Sequence, residues 1–297
     1  MTNFNRIAKV SIRLTKEQLD GFKRDLFLEN LRISFSIQKN LAWSTNTAQI
    51  RIWNLSGDKR NLLRDYGDQV ILQAGYSQGA GLQDLFIGDT VSVQHIFDLP
   101  EIVTVLECGD GDKYANQKTV SVSFQKGSSA RSVISEIASQ MGITIVQFSS
   151  SDNLVYDQGF SYIGMGKDAL AKACAYLSLE FSIQNNNLQI IPQGGTIDQS
   201  VFIINADTGM IGIPQRYTFK QSDLYRKRAD VSHTQIGYPT GWKVQTTLRP
   251  DIFPGSKVQI QSTHIDFKGF FRVETIRHEG DLYGPIWRSN LEVTLIK

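Results

Sequence analysis

Apolar and polar side chains alternate through Leu31-Arg-Ile-Ser-Phe-Ser-Ile37 and again through Ala48-Gln-Ile-Arg-Ile-Trp-Asn54. Each stretch carries the period-2 signature of a strand with one buried face, and the two read as a pair. Between Asn54 and the next apolar run, Val70 to Tyr76, the residues Leu62, Leu63 and Tyr66 recur at helical spacing. Ser56 is placed as the N-cap of that helix and Gly67 as its stop. Asp84 to His95 returns as a longer strand, with Gly88 marking a bend or bulge. The pattern predicts a sheet that carries one short helix and curls into a barrel.

The same reading extends along the chain. Residues 6 to 14 alternate as a strand, and Lys16 to Phe27 places Leu19, Phe22, Leu26 and Phe27 along one side of a turn or short strand. Ile102 to Cys108 and Thr119 to Phe124 are strands joined by the turn-rich Gly109-Asp-Gly-Asp-Lys-Tyr114. At Gly127 the period changes. Val133, Ile134, Ile137, Ala138 and Met141 share one helical face that ends at Gly142, and Ile143 to Val146 follows as a strand. A second helix runs from about Lys167 to Ser178 with Leu170, Ala173, Cys174 and Leu177 at the same spacing. A hairpin, Leu179 to Ile183 and Leu188 to Ile191 around Asn185-Asn-Asn187, completes an α+β module. From about Gly209 the chain is β-rich again, in runs beginning at Lys243, Lys257, Gly269 and Ser289, with Gly255, Gly269, Gly280 and Gly284 at the intervals of an antiparallel meander or barrel.

The order Ala48, Ile50, Ile52, Asn54-Leu-Ser56, short helix, Val70, Leu72, Ala74-Gly-Tyr76, Leu85, Phe86, Gly88, Asp89 resembles the first barrel of baseplate hub proteins from contractile-tailed bacteriophages, relatives of the base of the type VI secretion spike. Thr208 to Pro214, Leu248 to Gly255, and Gly269 to Asp281 with Trp287 resemble the last domain of the same family. The resemblance spans nearly the whole chain and rests on the order of these segments rather than on one motif. It implies a mainly β fold (β+α): two tail-tube-like antiparallel β-barrel domains, residues 1–126 and 209–297, with the α+β module, 127–208, between them. It also implies a structural role, as a homotrimeric ring that joins a hexameric tail tube to a trimeric central spike around the DNA channel. The implied neighbours are the spike protein, the tube protein, tape-measure and baseplate wedge proteins, and DNA only in transit. The implied location is the virion tail baseplate, assembled in the host cytoplasm.

Composition narrows the picture only modestly. The 297 residues suit two or three domains, and 31 basic against 29 acidic side chains give a formal charge of +2. That balance argues against an open nonspecific nucleic-acid binder. The two cysteines, Cys108 and Cys174, stand far apart and read as buried, reduced thiols. Met1 to Arg6 lacks the apolar core of a signal peptide, and no apolar run reaches the roughly 20 residues a bilayer needs. A protein without stable membrane insertion is expected.

Motifs for chemistry fail on their spacing. Gly164-Met-Gly-Lys-Asp168 has Ser161 where a phosphate loop needs its first glycine and Asp168 where it needs Ser or Thr, so it reads as a helix start. His278-Glu279 lacks the second histidine of a zinc-peptidase helix, and His95, His233, His264 and His278 are scattered. Asp110 and Asp112 lack the later ligands and flanking helices of a calcium loop and read as a hairpin turn. No catalytic, cofactor or metal residue is assigned.

The assignable sites are surfaces. Trp53 falls in the polar phase of its strand, where an aromatic is either an interface anchor or packed beneath the helix at 56 to 66. The stretches Ser149 to Gly164 and Pro239 to Trp242 match no family pattern, and with Tyr162, Tyr238 and Trp242 they are the candidate interface residues beside Trp53. Two rivals remain open: a tail-associated cell-wall hydrolase or carbohydrate-binding module, and a tail tube subunit, which would need one barrel rather than two.

Overall fold

In the computed structural model the strands follow the alternation in the sequence. The structure describes residues 4–14, 25–41, 46–110, 118–149, 153–197, 200–218, 240–265 and 267–296. The first region comprises β1 (Phe4–Leu14), β2 (Asp25–Leu28), β3 (Ile33–Asn40), β4 (Asn46–Trp53), α1 (Gly57–Tyr66), β5 (Gly67–Gln78), β6 (Gly81–Asp98) and β7 (Glu101–Asp110). Ile33, Phe35, Ile37, Ile50, Ile52, Val70, Leu72 and Leu106 meet in one core with Val10 and Ile12. A sheet whose strands all turn one face to a shared cluster must roll, and each fully buried Ile or Leu there stabilises the roll by about 1.5–3 kcal/mol. Helix α1 begins after Ser56, whose Oγ accepts from the Lys59 amide at 3.5 Å, and gives way to β5 at Gly67. Leu63 enters the core, whereas Leu62 is only half-buried. Of the stretch from Lys16 to Phe27, residues up to 24 lie outside the described residues, and the remainder is β2 on the edge of β1.

Gly88 is not itself a bulge. It stands in register opposite Val70, and the ladders slip on either side of it, near Leu85 against β5 and at Val91 against β7. A Cβ at Gly88 would collide with the Phe86 ring and the Gly109 carbonyl, so close packing rather than a bend requires glycine there.

The α+β module holds β8 (Thr119–Phe124), β9 (Ser128–Ser129), α2 (Ala130–Met141), β10 (Thr144–Phe148), β11 (Val155–Tyr156), β12 (Phe160–Met165), α3 (Gly166–Tyr176), β13 (Leu179–Gln184) and β14 (Asn187–Pro192). Ser129 caps α2 by accepting from the Ser132 amide at 3.1 Å, and Gly142 ends it in the left-handed conformation, φ 76°. Strand β8, which the sequence grouped with the first barrel, pairs with β12 instead, and its Val120 and Val122 pack with Val133, Ile137, Leu170 and Cys174. The described part of the stretch without family pattern is likewise structural. Tyr156 is fully buried and donates its hydroxyl to the Ala173 carbonyl at 2.9 Å.

The last region comprises β15 (Val201–Ile204), β16 (Met210–Thr218), β17 (Thr240–Thr247), β18 (Lys257–Ser262), β19 (Phe267–Asp281) and β20 (Trp287–Leu295). Strand β15, placed by the sequence in the module, pairs in parallel with β18, and Ile204 joins the core of Val258, Ile260, Val273 and Val293. The remaining ladders here are antiparallel. The two β regions form one thirteen-stranded sheet, along which β16, β17, β20, β19, β3, β4, β7 and β6 follow in order. The junction is the antiparallel pairing of β19 with β3, from Thr275↔Asn40 to Asp281↔Ser34. The fold is mainly β, with the helices confined to α1 and the module.

Candidate functional site

Three polar residues occupy apolar phases of their strands. Lys39 continues the inward series Ile33, Phe35, Ile37; Asn46 begins the series Ala48, Ile50, Ile52; Asp110 ends the series Leu106, Cys108. All three are buried, and they meet the turn between β13 and β14. The Asp110 carboxylate accepts from the amides of Asn185 and Asn186, each at 2.6 Å, and from Asn46 Nδ2 at 3.1 Å. Lys39 Nζ donates to Asn185 Oδ1 at 2.8 Å, Asn46 Nδ2 also donates to the Ile183 carbonyl at 2.8 Å, and Gln184 Nε2 donates to the Asn40 carbonyl at 2.9 Å. Burial pushes the Asp110 carboxyl up and lowers the Lys39 ammonium to about 8, while the attraction between them opposes both shifts. The result is a polar clamp between module and first barrel. A second fastening reaches the last region, where Arg272 bridges Glu274 at 2.8 Å and Glu180 of β13 at 3.2 Å.

Next to the clamp, His278 is fully buried with Nδ1 2.8 Å from Ser289 Oγ, and burial with the nearby Lys39 charge lowers its pKa to about 3. An ordinary histidine titrates near 6.5, so between about pH 6.5 and 3 the unfolded chain binds the extra proton and the fold loses stability as pH falls. His278→Asn is expected to flatten that part of the stability profile, read as the urea midpoint of variant and parent from pH 7 to pH 4.

The outward features are edges. Strand β5 follows β6 as far as Asp89; from Thr90 to Asp98, after the slip at Val91, β7 is the one partner of β6 among the described residues. Strand β16 ends the sheet on the opposite side, with Ile211 and Ile213 exposed. Apolar side chains also crowd the β6–β7 tip, where Phe97 is 67% and Leu99 84% exposed. Unpaired edges and exposed apolar patches are the features through which folded chains most readily join others.

The residues picked from sequence are distributed unevenly over these features. Trp53 is half-buried on β4 with the Arg32 guanidinium 4.4 Å from its ring centroid, and Arg32 pairs with Asp281 at 2.9 Å. Tyr162 packs on the module core beneath Lys172, and Trp242 lies against Phe267 beside the last core, their ring centroids 4.2 Å apart and their planes tilted by 50°. Tyr238 and Pro239 lie outside the described residues. Trp53, Tyr162 and Trp242 stand on three different strands, β4, β12 and β17. The clamp itself was not read from the sequence, where Asp110 appeared only as part of a turn, although a charged or amide side chain in the apolar phase of a strand was the available signal.

The candidate chemical groups are occupied structurally. Cys108 and Cys174 are buried and free, and burial pushes each thiol up to about 12. Asp110 serves the clamp rather than a solvent-facing turn, and Asp112 lies outside the described residues. Gly164 to Asp168 is the passage from β12 into α3. Among the described residues no three His, Cys, Asp or Glu side chains come together as a metal group, and no helix is long and apolar enough to cross a membrane.

Comparison with known proteins accords with surfaces as the functional features. The family model described as baseplate hub gp41 matches residues 7–219, well over half of the chain. The chain belongs to the baseplate hub gp41 family. No curated protein matches it. Among solved structures, this hub-family chain is similar to a tail protein from Neisseria meningitidis MC58, at 10% identity over 98% of this chain and 97% of the other, with a TM-score of 0.61. It is similar to the 43 kDa tail protein of prophage MuSo2 from Shewanella oneidensis, at 10% identity over 97% of both chains, TM-score 0.63. A third likeness is to the E. coli c3393 protein, a type VI secretion component described as structurally similar to T4 tail proteins gp27 and gp5, at 11% identity over 90% of this chain and 74% of the other, TM-score 0.57. At these identities the likenesses concern the fold. Membership of the family makes this hub protein a structural component of a phage tail baseplate.

Proposed function

We propose that three copies of this chain close into a ring that joins the hexameric tail tube to the trimeric central spike and surrounds the DNA channel, without enzymatic activity. The observation that supports this reading is the sheet order. Four strands of the last region, β16-β17-β20-β19, are followed by four of the first, β3-β4-β7-β6, and among the described residues the run is open at both ends, at β16 and at the far half of β6. Neighbouring strands alternate in direction throughout this run, so β6 of one copy meets β16 of the next in the same antiparallel sense that joins β19 to β3. A head-to-tail contact of this kind leaves no open edge once the ring closes. Two barrel-like regions per chain then give six units around three copies, which suits a sixfold tube on one face and a threefold spike on the other.

In this reading the chain divides near residue 118 and again near residue 200, with β8 in the module and β15 in the second barrel. Spike, tube, tape-measure and wedge proteins are its neighbours, DNA only passes through, and assembly takes place in the host cytoplasm before the protein resides in the baseplate. Trp53, Tyr162, Tyr238 and Trp242 belong to its contact surfaces. Native mass spectrometry of the purified chain is expected to give a trimer. A hexamer would indicate a tube subunit, and a monomer that persists with the spike protein present would overturn the ring.

A further inference from the structure

The ribbon of β8 and β12 has two unlike edges. Along β8, the Ser121 amide donates to Gln140 Oε1 at 2.9 Å and Gln140 Nε2 donates back to the Ser121 carbonyl at 3.1 Å. One side-chain amide from α2 thus takes the place of a neighbouring strand. In an antiparallel ladder the facing residues point their N–H and C=O groups toward each other or away together. Ser121 faces Ile163, so Ile163 also turns its backbone groups away from β8, and Ser161 and Met165 share that phase. The Gly166 amide, one residue on, donates to the Lys118 carbonyl at 2.9 Å, as the opposite phase requires.

β8 is the only described strand that pairs with β12. Its open side therefore offers three residues' worth of outward backbone, and two of the three side chains there are apolar: Ile163 is 80% and Met165 44% exposed. A basic side chain stands over this strand: Lys172 of α3 lies 4.8 Å from the Tyr162 ring centroid.

We propose that the open edge of β12 accepts an extended segment of a partner protein, adding it as a further strand. The segment alternates apolar side chains, which cover Ile163 and Met165, with acidic ones, which meet Lys172 over Tyr162 on the other face. The site belongs to the module rather than to the thirteen-stranded sheet, so it stands or falls separately from ring closure.

The test uses the full chain and an acetylated octapeptide of alternating valine and glutamate, with an alternating valine–lysine octapeptide as the charge control. The acidic peptide is expected to bind saturably and to slow amide exchange at Ser161, Ile163 and Met165 by about tenfold or more, with the basic peptide at least about tenfold weaker. Ile163→Pro is tolerated at an edge position whose amide faces solvent, yet it blocks an added strand. It and Ile163→Asp are each expected to weaken binding by about tenfold or more. No binding, equal binding of the two peptides, or binding indifferent to both substitutions would overturn the proposal. Protection of these amides that grows with protein concentration in the absence of peptide would also overturn it, by assigning the edge to a second copy.

Discussion

Asp110→Ala lowers the unfolding free energy by about 3–5 kcal/mol, the expected cost when one partner of a buried charged cluster is removed and the other stays behind. The substitution strips the acceptor from the Asn185 and Asn186 amides and leaves Lys39 buried beside Asn185. The control is Asp25→Ala, whose carboxylate pairs with Arg13 at 4.0 Å on the surface and whose loss costs about 0–1 kcal/mol. Urea midpoints of the two variants measure the contrast. Lys39→Met combined with Asp110→Asn costs less than the sum of the single changes, because no charge then remains in the clamp. The pH dependence has a definite sign. Lys39 releases its proton at about 8 in the fold and near 10.5 when unfolded, so between those values the unfolded chain holds more protons and stability rises with pH. Lys39→Met lacks that rise.

Ile211→Asp together with Ile213→Asp is expected to convert the proposed trimer into monomer at micromolar concentrations without unfolding it. Both side chains are exposed on β16, the terminal strand of the sheet, so the fold loses little. A ring contact along this edge, by contrast, would bury two carboxylates against the apolar residues of β6, and charges set inward on an edge are a general means of preventing edge pairing. Native mass spectrometry reads the stoichiometry, and circular dichroism confirms the retained fold. A trimer that survives both substitutions would move the ring contact elsewhere, for instance to Phe97 and Leu99 at the β6–β7 tip.

Much of this arrangement is legible in the sequence, and what is not has physical causes. The strands of the first region were visible because each buries one face, so Ile33, Phe35 and Ile37 or Ala48, Ile50 and Ile52 recur every second residue. The helix over 130–141 was visible from its stripe and from Gly142. Pairing was not visible, because it depends on partners distant in the chain. β8 looks like one more strand of the barrel, and only its union with β12, about forty residues on, moves it into the module. β15 has the same history with β18. The clamp was hidden for another reason: Lys39, Asn46 and Asp110 stand at strand ends, where a polar residue ordinarily marks a turn rather than a buried contact. Trp53 shows the limit of the alternation rule, since a half-buried indole under a guanidinium fits neither of its two phases.

The union of β3 with β19 also bears on how the chain is made. Ser34 finds its partner in Asp281, so the ribosome must deliver everything between them before that pairing can form. Until then the first barrel waits with its β3 flank bare, on nascent chains that sit close together along one messenger. Lys39 stays hydrated during that interval, because its partner Asn185 must also emerge before the clamp can bury it. A charge that is buried in the finished fold thus stands on the bare flank of the unfinished one, where inward-facing charges oppose premature strand pairing.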